Sequence, residues 1–175
     1  MRRQENKMSD NIKEVLEKQI SSVSIGDSNN AEPEEVLQVI GFVVGNEEFA
    51  VPILNVKEII KPTEFTRVPG TPNYVLGVFN MRGNVYPLID LRLKFGLPAI
   101  KQDKDTRYLI VQRNDDFAGF VIDKLTAAIT LSRSEIDPVP ETLVNSQGGM
   151  IDGVGKREDR LITILKVDVL LKKDF

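Results

Sequence analysis

Neither cysteine nor histidine occurs among the 175 residues of this chain. Histidine is the commonest general base, the usual partner of a serine or cysteine nucleophile and the most frequent transition-metal ligand. The double absence excludes Ser-His-Asp hydrolysis, thiol catalysis, an ordinary zinc site and a disulfide framework. Missing thiols fit a reducing compartment, and the chain reads as cytoplasmic. Tryptophan is absent and aromatics make up only 6%, so a core must be mainly aliphatic. No apolar run approaches the roughly 20 residues that span a bilayer. The opening MRRQENKMSD lacks the apolar stretch of a signal peptide, so membrane insertion is not expected. Phosphate-cradling G-x-x-x-x-G-K-[ST] and G-x-G-x-x-G turns are missing, as is a D-x-D-x-D-G calcium loop. Net charge is −3 and no arginine cluster alternates with aromatics, so nucleic acid is not an expected partner. The densest basic group, Lys166, Lys172 and Lys173, sits among Asp168 and Asp174. No cofactor is expected.

What remains is an apolar fraction of 41%, enough for an ordinary globular core. Residues 1–36 read as an extension. Ile12, Val15, Leu16 and Ile20 have helical spacing behind Ser9 or Asp10 as cap, and the polar stretch after them reads as a flexible linker ending near Pro33. Residues 37–175 read as the globular part. Leu37–Val44 and Glu48–Val51 flank a Gly45-Asn46 turn, a hairpin signal. Val56, Ile59 and Ile60 share a face that predicts a brief helix stopped by Pro62. Thr66–Pro69 is a short extended piece, and Arg92–Phe95 fits one helical turn.

The richest segment is Gly77–Gly96, GVFNMRGNVYPLIDLRLKFG. It reads as two apolar strands within Tyr74–Leu91 joined by Asn80-Met81-Arg82-Gly83, where glycine supplies a positive φ. An arginine inside an apolar hairpin needs an acceptor or water. Arg82 therefore either bonds loop carbonyls or serves binding, and Arg82→His is expected to cost both stability and function. Further strands are expected at Arg107–Gln112, Phe117–Asp123, Leu125–Leu131 and Met150–Val154. Arg160–Leu165 pairs with the last of these across Gly155–Asp159, and Val167, Leu170 and Leu171 form the stripe of a closing helix. About ten short strands at this spacing predict an all-β fold, mainly barrels or sandwiches. Barrel closure also removes exposed strand edges, so two small barrels sharing one core are the expected architecture.

Three segments, Phe49–Ile60 (FAVPILNVKEII), Tyr74–Phe95 and Phe117–Leu125 (FAGFVIDKL), together with the closing LITILKVDVLL, resemble the bacterial chemotaxis coupling proteins of the CheW family. The resemblance runs from about Val36 to Leu171. It implies a non-enzymatic adaptor made of two interlocked five-stranded SH3-like barrels, linking the cytoplasmic tips of methyl-accepting chemoreceptors to the regulatory domain of the histidine kinase CheA in membrane-associated arrays. By the same resemblance, receptor contact falls on Val56 and Glu58 and on a groove strand of the second barrel carrying Tyr108 and Leu109. Gly77, Asn80, Arg82 and Gly83 support the turn and groove, and Phe65 and Val68 are candidates for the kinase contact. Tyr86 and Tyr108 depart from the smaller aliphatic residues common in the family. So does the extension of about 35 residues before the first strand.

Each assignment has a plainer counterpart. Val56 fits the core face of a helix, Glu58 a solvated acid, and Leu109 an interior position in a continuous apolar run. A CheV-type adaptor carrying a CheW-like part is the nearest alternative; without histidine the chain is not a full histidine kinase. A carboxylate-dependent hydrolase using Asp90 and Asp123 is the alternative from another class, although turn-bonding acids explain both residues better, since the base chemistry is missing.

Overall fold

A computed structural model describes residues 33–144 and 149–173. The helix expected at Ser9–Ile20 and the linker up to residue 32 lie outside the described residues, as do Gln147 and Gly148. The chain divides between Glu34 and Glu35 into two units, and all that follows concerns the second.

Its strands are β1 (Val36–Val44), β2 (Glu47–Pro52), β3 (Val56–Ile60), β4 (Val75–Met81), β5 (Asn84–Asp90), β6 (Arg107–Arg113), β7 (Asp116–Ile122), β8 (Lys124–Ser132), β9 (Ile136–Asp137), β10 (Ile151–Arg157) and β11 (Arg160–Leu165). Single helical turns are α1 (Leu91–Lys94), α2 (Glu141–Val144) and α3 (Val167–Leu170). Burial follows position in the sheet. Central β6 has four consecutive buried residues, Tyr108 to Val111, because both of its faces are covered. Edge strand β4 instead alternates, with Val75, Gly77, Phe79 and Met81 turned inward.

The strands form two sheets, β8-β1-β2-β11-β10-β9 and β3-β6-β7-β5-β4. Across five strands both repeat one succession of ladders: antiparallel, antiparallel, parallel, antiparallel. The central barrel takes β3 to β7 in unbroken chain order. The terminal barrel is a permuted copy that begins with β8, β10 and β11 and obtains its two middle strands, β1 and β2, from the start of the chain. This permutation is what interlocks the two SH3-like barrels: the terminal barrel is incomplete until the chain returns from the central one. Both copies follow their parallel strand with a helical turn, α1 after β5 and α3 after β11.

Each barrel has its own core, where a single shared core was expected. Phe79, Tyr86, Leu88, Tyr108 and Ile110 fill the central one; Val39, Ile129, Leu131, Ile162 and Ile164 fill the terminal one. Between them Phe49 of β2 meets Phe42 at 6.2 Å and Phe95, just past α1, at 4.9 Å. Fully burying side chains of this size is worth about 1.5–3 kcal/mol each.

Three local expectations change. Val56–Ile60 is a strand, not a helix, and only a 3-10 turn at Ile53–Asn55 precedes it. Its β-branched Val56, Ile59 and Ile60 lose rotamer freedom in a helix and suit a pleated surface, and the ladder to β6 supplies the partner. The central hairpin turns on two residues rather than four: Met81 pairs with Asn84, and Arg82 and Gly83 have φ of 52° and 83°. The last hairpin likewise turns on Glu158 and Asp159, both at positive φ, after β10 has run on to Arg157. No Asn-Gly pair marks that turn, so its position was not readable from residue type.

Candidate functional site

The two edges of the central sheet are β3 and β4. A short bridge joins the β3–β4 connection to β4, with Thr66 and Val78 exchanging two backbone hydrogen bonds of 2.8 Å. Gly77 makes this approach possible, because a Cβ there would lie 2.1 Å from the Thr66 carbonyl oxygen. On the same seam, Glu58 Oε1 accepts from Arg82 Nη2 at 2.9 Å. Val56 and Glu58 are half-buried and Lys57 is exposed.

Arg82 is therefore not inside the apolar hairpin. It occupies its tip, with its side chain 77% exposed, because a two-residue turn points that position into solvent. Asn80 holds the turn by accepting the Gly83 N–H on Oδ1 at 3.1 Å, and Gly83 contributes its positive φ. So exposed an ion pair is worth about 0–1 kcal/mol, which gives little basis for the loss of stability expected from Arg82→His.

Tyr108 and Leu109 belong to the central barrel, on the strand that pairs with β3. They lie on β6 beside β3, with Ile60 opposite Tyr108 and Ile59 opposite Leu109, and both are completely buried. The continuous apolar run of β6 is that of a central strand, so both side chains pack in the interior. The Tyr108 hydroxyl donates to the Thr63 carbonyl at 3.2 Å, and burial pushes its phenol above its ordinary pKa. Phe65 and Val68, in the β3–β4 connection, are 41% and 36% exposed. Phe65 stands at the rim of an open recess shared with Pro62, Thr63, Glu64, Gln102 and Tyr108.

Asp90 and Asp123 are both engaged in holding backbone. Asp90 caps α1, accepting from the amides of Arg92 at 2.9 Å and Leu93 at 3.4 Å. Asp123 accepts Arg92 Nε on both oxygens, at 3.0 and 2.9 Å, and the Gly45 amide on Oδ2 at 2.8 Å. It thus ties α1 of the central barrel to the β1–β2 turn of the terminal one. These roles match turn-holding acids that accept N–H groups rather than a paired general acid and base. Among the described residues no cluster of three or more carboxylates forms a metal cage, and no helix is long and apolar enough to cross a membrane.

The model of the CheW-like domain matches residues 38–175, all of both barrels except the first two residues of β1. The chain belongs to the CheW family. It is 60% identical over 168 residues to the chemotaxis protein CheW of Helicobacter pylori, covering 96% of this chain and 100% of that protein. It is 36% identical over 137 residues to CheW of Bacillus subtilis, covering 78% and 88%. Among solved structures, the scaffolding protein TtCheW from Thermoanaerobacter tengcongensis superposes with a TM-score of 0.73 at 28% identity, covering 80% of this chain and 95% of that one. The fold and the relatives make this chain a chemotaxis adaptor of the scaffold class.

Within this CheW-family chain, the tertiary structure brings Glu58 to Arg82 at the turn that Asn80 and Gly83 form, with Val56 two residues before Glu58 on β3 and Tyr108 and Leu109 buried on the neighbouring strand. Exposed apolar residues that no sequence signal marked include Leu54, 83% exposed in the turn before β3, and Val85, 57% exposed beside the hairpin tip. Val85 sits in an apolar run, where only the pleat decides which face a side chain takes, and Leu54 lies in a 3-10 turn outside any pleat. Lys57 was also missed. No residue-type signal marks a lysine whose ammonium reaches across to another strand.

Proposed function

We propose that this adaptor links the cytoplasmic tips of methyl-accepting chemoreceptors to the regulatory domain of the histidine kinase CheA, and that it works in the cytoplasm at membrane receptor arrays through residues 37–175, with residues 1–36 a separate extension. The observation that carries this reading is the seam of the central barrel. A half-buried carboxylate, Glu58, is held by a guanidinium at a hairpin tip, beside apolar residues that keep part of their surface in water. Side chains so placed offer a helical receptor tip an apolar strip with a fixed charge pair, the helix-in-groove mode of recognition. Val56, Glu58 and Arg82 make that contact, and Asn80, Gly77 and Gly83 hold the hairpin that carries it. Phe65 and Val68, exposed on the β3–β4 connection, form the kinase contact. Tyr108 and Leu109 act only as the packed floor under both.

Without a deeply pocketed aromatic anchor, affinities belong in the micromolar range, near −8 kcal/mol. Calorimetric titration against a purified CheA regulatory domain tests the reading. One-to-one binding that weakens on Phe65→Ala or Val68→Ala and survives Glu58→Lys supports it. A well-folded protein that does not bind sinks the kinase-coupling assignment.

A further inference from the structure

Strand β3 has β6 as its ladder partner and lies at the edge of its sheet. Between Val56, opposite Val111, and Glu58, opposite Ile110, the register shifts, so Lys57 is the extra residue of a bulge. A bulge turns side chains away from strict alternation. Here two consecutive side chains reach the β4–β5 hairpin at the other edge of the sheet. Lys57 Nζ donates to the Tyr86 hydroxyl at 3.0 Å, and Glu58 accepts from Arg82 at 2.9 Å. The two contacts are unequal. Arg82 is 77% exposed, and a pair so open to water and salt does little to hold an edge strand. The Lys57 bond is partly buried, and its acceptor is rigid: the Tyr86 ring is 2% exposed, stacked on Phe79 at 5.7 Å and edge-on to Phe117 at 4.9 Å. Tyr86 therefore presents a fixed oxygen at the rim of the core, and Lys57 ties the bulged edge to it.

We propose that Lys57 is a positioning residue of the partner-binding face: its bond to Tyr86 clasps β3 to the hairpin and sets Glu58 opposite Arg82 in the form a chemoreceptor tip meets. The proposal rests on the adaptor reading above and deepens it. It also gives a reason for a tyrosine at position 86, where an aliphatic residue fills a core but offers no acceptor.

Lys57→Met keeps the methylene stem and removes the ammonium; Tyr86→Phe keeps the ring and removes the hydroxyl. Two measurements apply to the unaltered protein, both single variants and the double variant: amide hydrogen exchange along residues 57–60 in the free protein, and affinity for a purified chemoreceptor tip fragment. In each variant the β3 amides should exchange about fivefold faster or more. The fragment should bind about three- to tenfold more weakly, and the double variant no worse than either single one. Titration of the CheA regulatory domain should be unchanged. Unaltered exchange overturns the clasp, and faster exchange with unaltered affinity overturns the positioning role. Losses that add in the double variant overturn it too, because the two groups then act separately. An unaltered protein that binds no receptor fragment defeats the adaptor reading on its own account, while the exchange rates still decide the clasp.

Discussion

Two residues of the central hairpin are constrained by backbone, and they respond to substitution in opposite ways. Gly77 faces the Thr66 carbonyl so closely that a Cβ would sit 2.1 Å away, and the obstacle is main chain that cannot rotate aside. Gly77→Ala is expected to cost about 2 kcal/mol or more, read by urea denaturation. Arg82 sits at φ 52°, a conformation that costs an L-residue about 1–2 kcal/mol and that asparagine tolerates better. Its exposed ion pair returns about 0–1 kcal/mol. Arg82→Asn should therefore leave the melting temperature level or raise it slightly while weakening receptor-tip binding. A clear fall in melting temperature would show that the guanidinium serves the fold instead. A strained arginine where asparagine suits the backbone better is an argument that its charge, not its conformation, is what is used.

Among the elements, α1 is a single turn that depends on its cap. Asp90 accepts two amides there, yet burial, the largest influence, pushes its carboxyl above the ordinary value of 3.8. A raised folded value means that the charged form is less favourable folded than unfolded. Stability therefore rises as pH falls through the raised value toward the ordinary one, and it is lowest from that source at neutral pH. Asp90→Asn keeps an acceptor and loses the charge. At pH 7 it should match the unaltered protein within about 0.5 kcal/mol or exceed it, and it should lack the relative gain on acidification. Asp90→Ala loses the cap and about 1 kcal/mol. Thermal melts of the three proteins at pH 7 and at mildly acidic pH measure both effects.

At the scale of the whole molecule, the join between barrels concentrates on Asp123. Its carboxylate holds Arg92, with both side chains 17% exposed, and the Gly45 amide of the other barrel. Removing one partner of a mostly buried pair leaves the other charge uncompensated. Asp123→Ala should cost about 2–4 kcal/mol in urea denaturation, more than the loss of the exposed Glu58–Arg82 pair. A loss below about 1 kcal/mol would place the join in the Phe42–Phe49–Phe95 rings instead.

Much of this was legible in the chain itself. The absence of histidine and cysteine removed whole classes of chemistry. The apolar runs and turn residues located most of the strands, a helical turn at Arg92–Phe95 that forms one residue earlier, and the closing turn at Val167–Leu170, and the ordered motifs carried the family resemblance. Residue type and spacing determine those features locally. Which face of β6 meets solvent, whether Val56–Ile60 pairs or coils, and where Arg82 points depend on neighbours distant in sequence. A central strand hides Tyr108 and Leu109 because both of its faces are covered. A bulge turns Lys57 and Glu58 toward one hairpin because β3 must keep register with β6 across it. The permutation that seats β1 and β2 in the middle of the terminal sheet likewise exists only in three dimensions, because strand pairing joins the ends of the chain and local sequence carries no record of its distant partner.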